Sequence, residues 1–388
     1  MRRKVWVLIG VMLLVLFSNG STACAKTAKK QETVEASQSE IEEDLLSEFE
    51  FHELEEFLDE VFPGEKIGFF EMLQQLISGE MEFSLKTIGS LVTKQFAYEF
   101  QYAKTSIINL LAIVIIAAIF HNFAGVFRDN QVAEIGFFVL YLLLVTLCLD
   151  SFRVFTESVS LGLGRLLEFL QLLGPVYFLA VAFATGSMTS ISFYNIILFL
   201  VCIVELVIQG IVLPAVQIYM MIRVLNNLAA EEYLSKFGEL LHTLIVWALR
   251  ALLGAVIGLN LIQGMLSPAI DAVKRSVMTR GGEALPIVGN LIGGTAEVVL
   301  GTAKLLQNGI GVAGLLVCMA LCMAPVVQMV VITLLYKLTA ALIQPISDKR
   351  IVGCISSVAD GSSILLRVLF TAELLFLITI AIVANTGG

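Results

Sequence analysis

From Ile107 to its C-terminus this chain gathers apolar residues into runs of about twenty, separated by short polar breaks. At 1.5 Å per helical residue, about twenty residues cross a hydrocarbon core of about 30 Å. A helix buried in a soluble protein shows an apolar stripe with a polar back, whereas these runs are apolar all round. Composition agrees: 58% of residues are hydrophobic and 15% charged, against about 45–50% and 25% in soluble domains. A backbone in lipid must satisfy its own hydrogen bonds, so each run should be a helix. The expected fold class is therefore all-α: a polytopic helical membrane protein of about seven or eight spans. The candidate spans are 105–127, 135–150, 166–185, 193–221, 240–264, 286–308, 310–336 and 363–385.

Three regions are expected: 1–25, 26–102 and 103–388. The first reads as a signal peptide. Arg2, Arg3 and Lys4 precede the apolar run Val5–Phe17, and Ala23-Cys24-Ala25 fits the small-x-small cleavage rule. Lipidation at Cys24 and an uncleaved anchor are the alternatives. The second region holds 18 Asp and Glu against 6 Lys, and this −12 excess accounts for the acidity of a chain whose overall charge is −9. Such a segment disfavours nucleic acid and anionic lipid as direct partners. Apolar residues recur at helical spacing from Ile41 to Val61, with Leu54, Phe57 and Leu58 among them, before Pro63-Gly64. Further helices are expected over Ile67–Ile77 and Phe83–Tyr102. The region reads as a small helical extracytoplasmic segment, folded on itself or docked to a partner.

Orientation follows from the lysines and arginines. With eight spans and an exported N-terminal segment, Arg128, Lys274, Arg275, Arg280, Lys337, Lys349 and Arg350 fall inside. Arg153, Arg165, Arg223, Lys236 and Lys304 fall outside. The spacing of Pro175 to Pro214 equals that of Pro286 to Pro325, and Pro214-Ala-Val-Gln217 echoes Pro325-Val-Val-Gln328. An inverted repeat over 150–260 and 261–371 is the corresponding expectation.

Charged and amide groups inside the spans are candidates for a pathway through the membrane, or for glue between helices. They are Glu205, Gln209, Arg250, Glu297, Arg367 and Glu373, with a Glu205–Arg250 pair expected. Pro214 and Pro325 should break or kink their helices. Gly254-x-x-x-Gly258 and Gly289-x-x-x-Gly293 match a close-packing pattern. Cys318 and Cys322 share a helix face and read as small packing residues. The sequence contains no phosphate-binding loop, no H-E-x-x-H, no G-x-S-x-G and no Cys/His metal spacing. The expectation is a protein that is not an enzyme, with no catalytic residue, no metal and no cofactor.

Longer stretches carry a resemblance. GEMEFSLKTIGSLVTKQF before the first span, LPIVGNLIGG and VLGTAKLLQNGIG, then APVVQ and YKLTAALIQPISDKRI, resemble the stage III sporulation protein AE family. The resemblance implies a membrane subunit of the channel complex joining mother cell and forespore during endospore formation. Its implied partners are the other stage III sporulation proteins, including an ATPase, and stage II protein Q. It implies a multi-pass protein of the mother-cell membrane around the forespore, acting as permease-like core or assembly platform. The alternative is a self-sufficient secondary transporter or ion channel for a small solute.

Overall fold

The computed structural model describes Phe49, residues 51–62, 68–78, 130–185, 199–228, 234–282 and 293–385, and single helical positions between Phe100 and Ile119. Among the described residues every regular element is a helix. The signal-peptide region, the helix expected over 83–102 and most of the span expected at 105–127 lie outside them.

Two short amphipathic helices come first, α1 (His52–Val61) and α2 (Phe69–Ser78). Leu54, Phe57 and Leu58 of α1 and Phe69 and Leu73 of α2 are buried, as the helical spacing in the sequence requires. The Glu55 carboxylate accepts a 2.7 Å hydrogen bond from the Phe70 amide, satisfying an orphan donor at the start of α2.

Five longer elements follow. Helix α3 spans Asn130–Thr185. The next runs over Phe199–Asn227 and contains a π-helical turn, Ile208–Val212, that feeds α4 (Leu213–Leu228). Then come α5 (Ser235–Gly282), α6 (Gly293–Ile343) and α7 (Lys349–Asn385). Each holds a stretch long and apolar enough to cross a membrane, five in all among the described residues.

This differs from the sequence reading in an informative way. The stretches 135–150 and 166–185 were expected as two spans with a connection between them, yet α3 passes through both without a turn. Likewise α6 runs unbroken across the boundary between 286–308 and 310–336. Arg153 and Glu157 are good helix formers, and the buried opposite side carries the helix through the poorer Asp150. The repeat boundaries at 150 and 261 also fall inside continuous helices, α3 and α5.

Contacts fix the relative directions. Ser158 bonds Gln328 and Gln307 bonds Tyr177, so α3 and α6 are antiparallel. Cys148 meets Cys354 and Phe152 meets Gly361, so α3 and α7 are parallel. Asn227 bonds Ser357 and Met220 lies at Gly361, making α4 antiparallel to α7. Asn226 bonds Ser235 and Tyr219 stacks near His242, making α5 antiparallel to α4. The five helices alternate in direction. Their shared core includes Phe169, Leu166, Ile310, Val317, Val358, Leu365 and Phe376.

The helix pair α1–α2 sits on this bundle at the end remote from the α6–α7 turn. Phe57 stacks on Phe169 of α3 at 6.1 Å, and Phe49 meets Phe183 edge-on. Leu73 and Ile77 of α2 press against Gly309 of α6. Much of 166–184 is thereby buried in protein, including Leu166, Phe169, Val176, Tyr177 and Ala180.

Candidate functional site

The site is assembled from the polar groups that the helices carry inside the bundle and on its flanks. On the second long element, Phe199–Asn227, Gln209 Nε2 donates to Glu205 Oε1 at 2.9 Å, an i,i+4 pair. The π turn begins immediately below, at Ile208. Its cause is Pro214: proline has no N–H to return to the preceding turn, and its ring crowds the carbonyl four residues back. The Leu213 amide bonds the Ile208 carbonyl five residues earlier, opening the ladder by one residue. Pro214 thus yields a wound but widened helix in place of a break.

Pro325 behaves differently. Helix α6 continues through it. A Cβ built on Gly162 of α3 would lie 3.1 Å from the Pro325 Cβ, so the proline ring fills the space that Gly162 leaves.

The expected Glu205–Arg250 pair does not form among the described residues. Glu205 is engaged by Gln209, while Arg250 lies on an exposed face of α5. Arg367 is also exposed on α7. Glu373, two turns further along, is 3% exposed, and its Oε1 has no hydrogen-bond partner. For Glu297 only the helical backbone is described. The candidates therefore separate into a Glu205–Gln209 pair beside a widened turn, exposed arginines on α5 and α7, and a carboxyl shut in the core. They do not converge on one pocket.

The small-residue pattern is likewise redistributed. A Cβ on Gly254 or Gly258 would meet nothing within 4 Å, so among the described residues that motif holds no helix pair. The close approaches occur elsewhere. A Cβ at Gly361 would stand 2.7 Å from the Phe152 ring and 3.2 Å from the Met220 sulfur, and one at Gly353 would stand 2.6 Å from Asn227 Oδ1. Asn227 is held there by bonds to Ser357 Oγ and the Arg223 carbonyl. Arg223 and Asp360 approach to 3.9 Å at the same level.

Among the described residues no group of His, Cys, Asp and Glu could hold a metal ion. Cys318 and Cys322 are buried and pack in the α6 core, as the sequence reading had them. What that reading missed is a line of charge along α3, including the Arg153–Glu157 pair at 2.7 Å. Its signal is the 3.6-residue spacing of these charges, which a reading by apolar runs turns into a polar connection over 151–165.

Comparison with known proteins gives the geometry its context. The model of the family described as stage III sporulation protein AE matches residues 67–387. The stage III sporulation protein AE of Bacillus subtilis (strain 168) is 20% identical over 396 aligned positions, covering all of this chain and 98% of that protein. No solved structure matches. The chain belongs to the stage III sporulation protein AE family.

Proposed function

We propose that this chain is a non-enzymatic, multi-pass membrane subunit of the complex that joins mother cell and forespore during endospore formation. Family membership over residues 67–387 is the observation that carries the reading. The alternating bundle supports it, because exposed Leu206, Ile211, Leu244 and Trp247 suit contact with acyl chains. The subunit works as a permease-like core or assembly platform, with sister stage III proteins, an ATPase among them, and stage II protein Q as partners.

The acidic N-terminal segment faces away from the mother-cell cytoplasm. Lys236, Lys337, Lys349 and Arg350 cluster at the bundle end opposite α1–α2, where the positive-inside rule puts the cytoplasm. To test the role, the gene is deleted in the spore-forming host and the tagged full chain is purified from sporulating cells. Loss of spores and co-purification of sister proteins are expected. Normal spore yield in the deletion strain would overturn the reading.

A second reading, a self-sufficient transporter, is favoured by one observation: the Glu205–Gln209 pair sits at a π turn inside a span, and such widened turns are frequent at functional sites. Gradient-driven uptake by purified protein in liposomes, lost in Glu205→Gln, would support it over the first.

A further inference from the structure

One carboxyl group is shut inside the bundle. Glu373 of α7 is 3% exposed, and its Oε1 has no hydrogen-bond partner. Val368, Leu369, Ala372 and Phe376, around it on the same helix, are fully buried as well. Protein encloses the group, so its surroundings do not depend on where a bilayer lies. The titratable group that acts on it is the Cys322 thiol of α6, itself bonded to Cys318. Every lysine and arginine of α6 and α7 is exposed, as are Arg165 of α3 and Arg250 of α5. Glu205 of the Phe199–Asn227 helix is engaged by Gln209. A carboxylate held in the core without a counter-ion is strongly disfavoured, so the group calls for a bound cation. Thiols are poor ligands for hard cations, and among the described residues no group of three His, Cys, Asp or Glu could hold a metal ion. The cation that fits a lone carboxyl in a closed space is a proton.

The seam between α6 and α7 carries a second unmet demand. Thr333 lies eleven residues past Cys322, and Ser362 eleven before Glu373, three turns along each antiparallel helix. Both side chains are buried, and neither hydroxyl has a hydrogen-bond partner. Buried polar atoms left unpaired weaken an interface relative to one that is satisfied or wholly apolar. On another side of α7 the neighbouring helix opens into its π turn, Ile208–Val212. Apolar packing therefore holds the seam against unmet polar groups, and a charge added to it would tip that balance.

We propose that Glu373 is a proton-binding site, and that its proton keeps α6 closed on α7. With the proton bound, the carboxyl is neutral and the seam stays packed. When the proton leaves to water, the carboxylate must be hydrated, and α6 and α7 part to admit that water. The closed seam binds one more proton than the open one, so its stability is present at low pH and lost as pH rises. The site lies within one chain and goes with either reading of the protein's role.

Infrared spectroscopy of the purified full chain reads the proton directly, as the difference between wild type and Glu373→Gln. A carboxylic-acid C=O band at neutral pH, unchanged by added sodium, is expected. A carboxylate band would overturn the assignment, and so would an acid band that sodium converts to carboxylate, since the occupant would then be a metal ion. Glu373→Asp, which keeps the acid and shifts its band, replaces the Gln variant if that protein is not monodisperse. The seam is read by maleimide labelling of Cys322, with exposed Cys202 correcting for thiol ionisation. In wild type, Cys322 labelling should rise beyond that of Cys202 from neutral to alkaline pH, by about tenfold for each pH unit, as one linked proton requires. In Glu373→Gln the two cysteines should stay parallel. Parallel curves in both proteins would show that the proton does not govern the seam.

Discussion

At the residue scale, the bundle depends on where side chains are missing. Helices in lipid gain nothing from excluding water between them, so close van der Waals approach must hold them together. Gly361 supplies such an approach: a Cβ there would stand 2.7 Å from the Phe152 ring and 3.2 Å from the Met220 sulfur. Three helices meet at that point, so the ring cannot yield freely. Gly361→Ala should destabilise the folded bundle by about 1–3 kcal/mol through overpacking. Gly254→Ala, with nothing within 4 Å of the added carbon, should be neutral or raise stability by up to about 1 kcal/mol through helix propensity. Thermal unfolding in detergent, followed by loss of the monodisperse peak, compares the two, and equal midpoints would contradict the packing argument. Of the two GxxxG pairs in the sequence, Gly289 and Gly293 lie outside the residues whose surroundings are described, and Gly254 and Gly258 meet no described neighbour. The GxxxG spacing of Gly254 and Gly258 says that a helix face is small, and says nothing of whether another helix arrives there. By contrast, the Glu205–Gln209 bond was legible, because i,i+4 geometry is set by the helix alone. Arg250 was assigned a partner across helices, and that distance depends on packing which no local pattern encodes.

At the scale of elements, α1 and α2 show what amphipathic spacing can and cannot tell. The buried positions Leu54, Phe57, Leu58 and Leu73 follow from the 3.6-residue period. The surface that covers them, Phe169, Phe183 and Gly309, lies more than a hundred residues away in sequence and was not legible. Long-range docking also accounts for the apolar run 166–185, since α1–α2 and α6 bury many of its residues. Two substitutions probe this cap. Gly309→Leu would drive a side chain into Leu73, whose Cδ1 is already 2.9 Å from a Cβ at that position. Glu55→Ala removes the carboxylate that holds the Phe70 amide and should cost about 0.5–2 kcal/mol of local stability. Limited proteolysis of membrane-embedded protein should cut residues 52–78 faster in both variants, with the larger effect in Gly309→Leu. Unchanged cleavage would mean that α1–α2 does not rest on α6 in the membrane.

At the scale of the whole molecule, direction of travel decides topology. Helices α3 and α7 rise from the end bearing the Gln344–Asp348 connection, α4 and α6 descend to it, and α5 rises again. The α4–α5 junction therefore stands beside the α6–α7 turn, as the Asn227–Ser357 bond requires. With the span expected at 105–127 bringing the chain down from α1–α2, six crossings result. The eight-span reading kept 135–150 and 166–185 apart, and so assigned Arg223 and Lys236 to the side opposite Lys349 and Arg350. In the six-crossing arrangement all four share one side. By the positive-inside rule the side holding Arg223, Lys236, Lys337, Lys349 and Arg350 would be the cytoplasmic one, against Lys274, Arg275, Arg280 and Lys304 on the other. Both arrangements put the chain's two ends on the same side, so fusions at the ends cannot separate them. A reporter inserted between Leu228 and Ser235 can. Green fluorescent protein placed there should fluoresce and alkaline phosphatase stay inactive, matching insertions at Ser347, while phosphatase near Glu50 should be active. Active phosphatase at the α4–α5 junction would restore eight crossings and require α3 to turn back within the bilayer.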